Sequence, residues 1–273
     1  MAGETLESFI VAHLAHSATK VAAADLLRHC VRERKVNRVA VQAALKHLAS
    51  EGQIQYTNLF GTTQVDLAWS RPRWVSPRIL LCPQEVAPGP PRPADSVVAR
   101  IAGGAAFGAG DHPTTRLALH VLDTMFAEKR IPAGAKVLDI GTGTGVLAIG
   151  AVLLGAGAAL ALDIDPCALW EARGNVALND LVSRIRVCAD PVEDLVETFD
   201  LVLANLRLPT LLRLTPTVSR LLSNEGAVVI SGIRPEESGE LLKRWSALGL
   251  KACWIKESQG WTGIGFCRIS KTG

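Results

Sequence analysis

The hydrophobic and polar positions divide the chain into two patterns that meet at a proline-rich segment. In the first 70 residues, apolar side chains recur at helical spacing in three segments, 6–16, 21–31 and 39–50. Two segments with strand-like alternation follow, 54–58 and 63–69, with Gly61 between them. Three short helices and then a hairpin are the element order of a winged helix-turn-helix, so residues 1–70 predict a small domain of that type.

The second pattern, after the prolines, consists of short apolar segments that alternate with helical ones. The apolar segments predict five strands, at residues 136–140, 159–163, 185–188, 201–204 and 227–232. Strands that alternate with helices are typical of an α/β fold with a doubly wound, Rossmann-like parallel sheet. Residues 251–257 and 262–269 predict two further strands joined by a short turn, and therefore an antiparallel hairpin at the sheet edge.

Between the two patterns, residues 71–93 contain half of the 14 prolines of the chain. Proline fixes its own backbone angle and biases the preceding residue toward an extended conformation, so the segment predicts a stiff linker. The expected organisation is a first domain at 1–70, a linker at 71–94 and a second domain at 95–273. The uncharged run 146–162 approaches the length of a membrane span, but Gly155 and Gly157 interrupt it and favour a buried helix followed by a strand.

Composition favours a cytoplasmic protein without a metal or disulfide framework. The formal net charge is only +3, from 29 Lys and Arg against 26 Asp and Glu, so a nucleic-acid surface would have to be a local patch. The first nine residues carry Glu4 and Glu7 and lack the basic and apolar blocks of a secretory signal. The six cysteines form no C-x-x-C pair and no zinc-finger spacing with histidine, which indicates reduced thiols in a core.

A glycine-rich turn follows the first strand of the second pattern, in the run Val137-Leu-Asp-Ile-Gly-Thr-Gly-Thr-Gly145. Glycines let a ligand approach the backbone closely, and the turn opens onto a predicted helix. The third of Gly141, Gly143 and Gly145 comes one residue early for a dinucleotide pattern. Asp139 would repel a pyrophosphate but attract the ammonium of a methionine moiety, so the run predicts an S-adenosylmethionine site.

Two further acids follow the next two strands. Asp163 ends the second strand, where a carboxylate can accept hydrogen bonds from both ribose hydroxyls of the cofactor. Asp190 follows the third strand, where it can accept from the exocyclic amine of adenine while the backbone N–H of Cys188 or Ala189 contacts the ring. The alternative for both acids is structural, because an Asp shortly before a Pro also serves as a turn or capping residue.

A longer motif precedes the glycine turn, Phe107-Gly-Ala-Gly-Asp-His-Pro-Thr-Thr-Arg-Leu117. Together with the glycine turn, the Asp-Ile-Asp-Pro at 163–166, the Ala-Asn-Leu at 204–206 and the Ser-Gly-Ile at 231–233, it resembles the ribosomal protein methyltransferase family PrmA. The resemblance runs from about Val98 to the C-terminus, whereas the predicted winged helix differs from the family's usual ferredoxin-like N-terminal domain. It implies methylation of a lysine or amino group of a protein, with a ribosomal or translation protein as substrate and S-adenosylhomocysteine as product.

The resemblance also implies roles for residues outside the glycine turn. The segment 107–115 would fold over the cofactor, with Phe107 as a wall and Thr114 and Thr115 as polar contacts to its methionine end. Asn205, just past the fourth strand, would contact the cofactor and present its amide to the amine being methylated. Trp261 resembles a family tryptophan near the substrate entrance, with packing at the sheet edge as the alternative.

The residues leave two other classes of function open. One is a nucleic-acid or small-molecule methyltransferase on the same core, although residues 205–208 lack the aromatic stacking group that base methyltransferases often carry there. The other is a winged-helix regulator that senses the cofactor without catalysis. On the third predicted helix, Arg38, Gln42 and Lys46 share a polar face, so the first domain could contact nucleic-acid phosphates or dock a protein.

Overall fold

The computed structural model describes residues 5–17, 21–59, 62–68, 72–87, 93–104, 106–108, 110 and 112–268. Several features of the sequence analysis lie outside these residues: Glu4, the hairpin glycine Gly61, the end of the second hairpin strand at 69, part of the proline-rich segment at 88–92, and residue 269. The described residues form three sheets with helices packed on them.

The N-terminal part contains three helices and a small antiparallel sheet. The helices are α1 (Leu6–His16), α2 (Ala23–Arg34) and α3 (Arg38–Ser50). The strands are β1 (Val21–Ala22), β2 (Ile54–Leu59) and β3 (Thr62–Leu67), in the order β1-β3-β2. Asn37 caps α3, since its Oδ1 accepts a hydrogen bond from Ala40 N at 2.8 Å. The predicted order of helices and hairpin is found, whereas β1 replaces the start of a predicted helix.

These elements share a core of their own. Residues from all three helices and from the hairpin form one cluster, which includes Ile10, Leu26, Leu45, Ile54 and Val65. A separate hydrophobic core is what an independent domain requires. The winged-helix assignment and the domain limits stay predictions.

The proline-rich segment is not a spacer throughout. It contains β4 (Arg73–Trp74) and β5 (Ile79–Pro83), which join β6 (Val97–Ile101) in a sheet of order β4-β5-β6. All five residues of β5 are buried, and Arg78 just before it forms an ion pair with the buried Asp123 at 2.6 Å. The linker prediction is wrong for these residues, because it weighed the prolines and overlooked the apolar run at 79–82.

The second part is a seven-stranded sheet with helices on both faces. Its strands are β7 (Lys136–Ile140), β8 (Ala158–Leu162), β9 (Ile185–Cys188), β10 (Phe199–Asn205), β11 (Leu222–Ile233), β12 (Leu250–Ser258) and β13 (Trp261–Arg268). Its helices are α4 (Pro113–Ala127), α5 (Val146–Leu153), α6 (Pro166–Leu178), α7 (Leu208–Leu221) and α8 (Ser238–Ser246). The strand order is β12-β13-β11-β10-β7-β8-β9; the last five are parallel, and β13 pairs antiparallel with both β11 and β12. The predicted Rossmann-like α/β sheet with a C-terminal hairpin is confirmed.

Alternate residues of the strands pack into two hydrophobic cores, one on each face of the sheet. Val137 of β7 belongs to a cluster with residues of α4 and α5, and its neighbour Leu138 belongs to a cluster with residues of α7 and α8. Burial on both faces explains why the strands read as continuous apolar runs. The run 146–162 divides into α5 and β8, as predicted, with Gly155 at φ 121° between them. Within the described residues, no helix combines the length and apolar character needed to cross a membrane.

Candidate functional site

A cavity of about 600 Å³ opens at the carboxyl ends of the parallel strands. The strand order reverses between β7 and β10, and open α/β sheets bind ligands in the crevice at such a point. The volume is in the range of small-molecule sites. Six of the predicted site residues line the cavity: Phe107, Thr114, Gly141, Asp163, Asp190 and Asn205. The other four are not part of its lining: Thr115, Asp139, Gly143 and Gly145.

The glycine loop is held by another segment of the chain. Gly141, Gly143 and Gly145 have φ angles of 71°, 55° and 83°, a region that favours glycine. A side chain at position 143 would place its Cβ 2.2 Å from the carbonyl oxygen of Phe107. Thr144 holds the loop against the same segment. Its N–H donates to Phe107 O at 3.1 Å, and its hydroxyl donates to the Gly108 carbonyl at 2.8 Å. The segment 106–108 therefore lies directly on the loop.

Asp139 is fully buried next to the loop. Its Oδ2 accepts hydrogen bonds from Thr142 Oγ1 at 2.6 Å and from Ala148 N at 3.2 Å. No described residue donates a hydrogen bond to its Oδ1. Burial raises the pKa of Asp139 to about 7, and the charge of Asp163 acts in the same direction. The free-energy cost of burying this carboxylate in its charged form is offset when a cation lies close to it.

Asp163 follows β8 and faces the cavity. Its Oδ2 accepts a hydrogen bond from Gly143 N at 2.9 Å, and its Oδ1 accepts one from Asp165 N at 3.0 Å. The side chain thus braces the glycine loop, and each oxygen keeps a lone pair for a further donor. The helix cap considered as an alternative for Asp163 is supplied by Asp165, which accepts from Cys167 N at 2.9 Å at the start of α6.

Asp190 lies at an exposed margin of the cavity. Its Oδ2 is 2.5 Å from the Arg186 guanidinium and 3.2 Å from the Cys188 thiol. An exposed ion pair of this kind contributes little stability, so Arg186 can release the carboxylate at small cost. Ala189 and Pro191 line the cavity on either side of Asp190. An adenine amine at this margin would share the carboxylate with Arg186.

Asn205 is the last residue of β10 and lies beside Thr114 in the first turn of α4. Its Nδ2 donates to Thr114 Oγ1 at 3.2 Å. Its Oδ1 is buried, and no described residue donates a hydrogen bond to it. A buried carbonyl oxygen without a donor costs about 1–3 kcal/mol. This oxygen is therefore suited to a donor on a bound ligand.

His112, to which the sequence analysis assigned no role, connects these residues. It is the N-cap of α4: Nδ1 accepts from Thr114 N at 3.3 Å and lies 2.8 Å from Thr114 Oγ1. Its Nε2 contacts the backbone carbonyl of Ser17. Burial, together with the charges of Arg116 and Arg234, lowers the pKa of His112 to about 4. The ring is therefore neutral near pH 7, with its proton on Nε2 and with Nδ1 as an acceptor.

Three aromatic rings contact one another in a row beside Asn205 and Thr114, with tilted and edge-to-face geometry. The ring centroid of His112 lies 4.9 Å from that of Phe107 and 5.4 Å from that of Trp261. The Arg234 guanidinium carbon lies 3.7 Å from the Trp261 ring centroid. Thr115 is buried, and its Oγ1 has no hydrogen-bond partner among the described residues, so its contact with a cofactor stays a prediction. The only sequence signal for His112 was Pro113, which marks a helix start and leaves the preceding residue as the cap.

A family model described as ribosomal protein L11 methyltransferase (PrmA) matches residues 33–268. The match begins well before Val98, so the sequence analysis placed the start of the resemblance too late. The crystal structure of a ribosomal protein L11 methylase from Lactobacillus delbrueckii subsp. bulgaricus is similar to this chain, with a TM-score of 0.64 and 28% identity. That similarity covers 73% of this chain and 99% of the crystallised one.

Curated relatives of this chain carry the name ribosomal protein L11 methyltransferase, and two of them illustrate the similarity. The one from Pelobacter propionicus is 45% identical over 166 residues, which are 61% of this chain and 53% of the relative. The one from Prochlorococcus marinus is 34% identical over 248 residues, which are 86% of this chain and 79% of the relative. The chain thus spans about half the length of the first relative.

Proposed function

The chain belongs to the PrmA family of ribosomal protein L11 methyltransferases, and we propose that it transfers a methyl group from S-adenosylmethionine to an amine of a protein. The observation that carries the proposal is Asn205, which lines the cavity and whose buried Oδ1 receives no hydrogen bond from any described residue. An acceptor of this kind suits a neutral amine, whose N–H groups need a partner while its lone pair stays free to attack.

The residues on the β7 and β8 side suit S-adenosylmethionine. Asp139 is buried behind the glycine loop rather than in the cavity lining, and its carboxylate attracts the ammonium of the cofactor across the loop. Asp163 keeps lone pairs for ribose hydroxyls, and Asp190 lies at the margin assigned to adenine. Phe107 offers an aromatic face, which attracts a sulfonium. When bound, the cofactor supplies an electrophilic methyl group and leaves as S-adenosylhomocysteine.

The residues on the β10 side suit the acceptor amine. A lysine amine has an ordinary pKa of about 10.4 and is protonated near pH 7, so it must lose a proton before it can attack. Leu206, Leu214 and Trp261 line the cavity on this side, and apolar surroundings lower the pKa of an amine by disfavouring its charged form. Asn205 Oδ1 then accepts an N–H of the neutral amine and orients its lone pair. Alignment supplies most of the rate enhancement, so the reaction requires no dedicated base.

Three hydrogen-bonded side chains fix the direction in which the Asn205 amide points. Neutral His112 offers Nδ1 as an acceptor, so the Thr114 hydroxyl donates to it. The hydroxyl oxygen then accepts from Asn205 Nδ2, which leaves Oδ1 for the ligand. The reversed amide would place Oδ1 against a hydroxyl whose proton is already used, which costs a hydrogen bond.

Ribosomal protein L11 is the first substrate to test, because the relatives are named for it. A lysine side chain or the N-terminal amino group of that protein would be the acceptor. The contact between Ser17 and His112 brings the N-terminal part of the chain next to the cavity. This position suits a role in presenting a protein substrate.

The test follows the label from methyl-labelled S-adenosylmethionine. The protein is incubated with ribosomal protein L11 and, separately, with a cell lysate that is divided into protease-treated and nuclease-treated portions. Asn205→Ala is run in parallel. The proposal expects label on L11, or on material that protease removes, and loss of that label with Asn205→Ala. Label that only nuclease removes, or no label despite cofactor binding, would contradict it.

A further inference from the structure

Two thiols that are separated in the sequence meet at the edge of the seven-stranded sheet. Cys253 of β12 and Cys267 of β13 have their Sγ atoms 2.9 Å apart, and both side chains are half-buried. A disulfide bond is about 2.0 Å long, so these sulfur atoms need to approach by less than ~1 Å to form one. Half-burial leaves the pair accessible to a small reagent.

An irregularity in the hairpin creates this contact. Ala252 pairs with Phe266, whereas the next pair is Trp254 with Gly265, so Cys253 is the extra residue of a bulge in β12. The Cys253 thiol also donates to the Gly265 carbonyl at 3.3 Å. The sequence predicts the hairpin but not its bulge. The sequence therefore predicted reduced thiols in a core without a disulfide framework, and the contact between the two thiols is a finding of the structure.

The surroundings make Cys267 the more acidic thiol of the two. Its hydrogen bond with Cys253, together with the Arg130 guanidinium, lowers the pKa of Cys267 to about 7 against the opposing effects of burial and of Glu128. The same thiol contact, with burial, raises the pKa of Cys253. Arg130 is held in place by Glu128, whose Oε2 accepts from Arg130 Nε at 2.6 Å. The most effective thiol in disulfide exchange has a pKa near the ambient pH.

We propose that Cys253 and Cys267 form a thiol–disulfide site that reacts with low-molecular-weight disulfides such as oxidised glutathione. The Cys267 thiolate attacks one sulfur of the reagent, which forms a mixed disulfide and expels one thiolate. Cys253 then attacks the Cys267 sulfur, which forms the Cys253–Cys267 bond and expels the second thiolate. The two protein thiols are oxidised, the reagent is reduced to two thiols, and the protons of the protein thiols end on the leaving groups.

The thiol pair lies apart from the methyl-transfer cavity. None of the described cysteines lines that cavity. Trp261, which does line it, begins β13, whereas Cys267 lies near the end of that strand. The inference therefore does not rest on the proposed function. Oxidation is expected to raise the melting temperature, because the new bond closes a loop in the unfolded chain, and to leave cofactor affinity unchanged.

The test is oxidation of the reduced, folded chain with oxidised glutathione, followed by blocking of free thiols, intact mass measurement and peptide mapping. The wild type is expected to lose two hydrogen atoms and to yield linked peptides that contain Cys253 and Cys267. Cys253→Ser is expected to stop at a glutathione adduct on Cys267, because the second nucleophile is gone. Cys267→Ser is expected to react more slowly, because the acidic thiol is gone. Cys167→Ser removes an exposed cysteine elsewhere and should leave the link unchanged.

The rate of the first step provides a second measurement. In Cys253→Ser, adduct formation should be several-fold faster than with Arg130→Gln added, because the guanidinium stabilises the attacking thiolate. Circular dichroism verifies the fold of each variant, and Cys→Ala replaces any serine variant that does not fold. Separate adducts on both thiols without a link in the wild type would overturn the proposal. So would a Cys253→Ser protein in which Cys167 reacts and Cys267 does not.

Discussion

The two sides of the cavity differ in how far apart in the sequence their residues lie. On the β7 and β8 side, Asp139, the glycine loop and Asp163 come from the single stretch 139–163. On the β10 side, Asn205 contacts Thr114 across 91 positions of sequence, and Trp261 contacts the edge-to-face row of rings through His112. The first side is a local strand–turn–helix unit with the next strand beside it. The second exists only after the whole sheet has formed.

The two sides also differ in charge. The β7 and β8 side carries acids, and burial together with the charge of Asp163 raises the pKa of one of them, Asp139. On the β10 side, the hydrogen-bonded side chains of His112, Thr114 and Asn205 are uncharged near pH 7. The charged groups beside them include the cations Arg207, Arg213 and Arg234. A cationic cofactor suits the first side, and a deprotonated amine suits the second. We therefore propose cofactor binding for the first side and alignment of the amine for the second.

Gly143→Ala tests how the loop side is held and should have the largest effect. Its Cβ would lie 2.2 Å from the backbone oxygen of Phe107, which cannot rotate away. We expect a loss of about 3 kcal/mol in the free energy of unfolding, measured with urea, and loss of cofactor binding. Gly134→Ala is the matched control, because its φ of 77° is also left-handed but nothing lies within 4 Å of the added Cβ. The control should lose about 1–2 kcal/mol; equal losses would contradict the account of the loop.

His112→Phe tests the β10 side, where the acceptor amine would bind. The new ring can keep the ring contacts with Phe107 and Trp261, but the substitution removes the Nδ1 acceptor for the Thr114 hydroxyl. We expect turnover to fall about tenfold, since the Asn205 amide is then free to reverse, while cofactor affinity changes little.

The control for this variant is His112→Asn, which restores an acceptor at the helix cap. It should recover part of the turnover that His112→Phe loses. If His112→Phe weakens cofactor binding as much as turnover, the histidine belongs to the binding side and the proposed orientation of the amide is wrong.

The pH dependence of stability tests the acidic side. Burial raises the folded-state pKa of Asp139 to about 7 from its ordinary 3.8. The contribution of Asp139 to stability is therefore fully present below its ordinary pKa and is lost as the pH rises through about 7. Asp139→Asn lacks this titration, so the variant should gain stability relative to the ligand-free wild type across that range. A stability difference between the two proteins that does not change with pH would contradict the assignment.

The large sheet could be predicted from the sequence because its strands are buried on both faces, which gives β7 and β8 continuous apolar runs. The strand β5 was missed because prolines surround it, and they were given more weight than its apolar residues. The bulge at Cys253 was missed because register is set by cross-strand packing, which the sequence does not display.

The candidate site divides in the same way. Asp163 and Asn205 could be found because each follows a predicted strand, and the carboxyl ends of parallel strands meet at one edge. His112 could not be found from the sequence, because its role depends on contacts with Ser17 and Trp261, which come from other parts of the fold. Gly143 was predicted as a glycine that lets a ligand approach. The sequence did not reveal that the group closest to it is the Phe107 carbonyl oxygen.

The most direct test compares Asp163→Ala with Asn205→Ala, measuring the Kd for S-adenosylmethionine by calorimetry and kcat with the methyl-accepting protein. The account predicts that Asp163→Ala weakens cofactor binding about tenfold or more, because the variant loses an acceptor and releases the Gly143 N–H. It predicts that Asn205→Ala lowers kcat about 100-fold and leaves the Kd little changed. Unchanged cofactor affinity in Asp163→Ala, or equal losses of affinity and kcat in Asn205→Ala, would contradict the division of the cavity into a binding side and an aligning side.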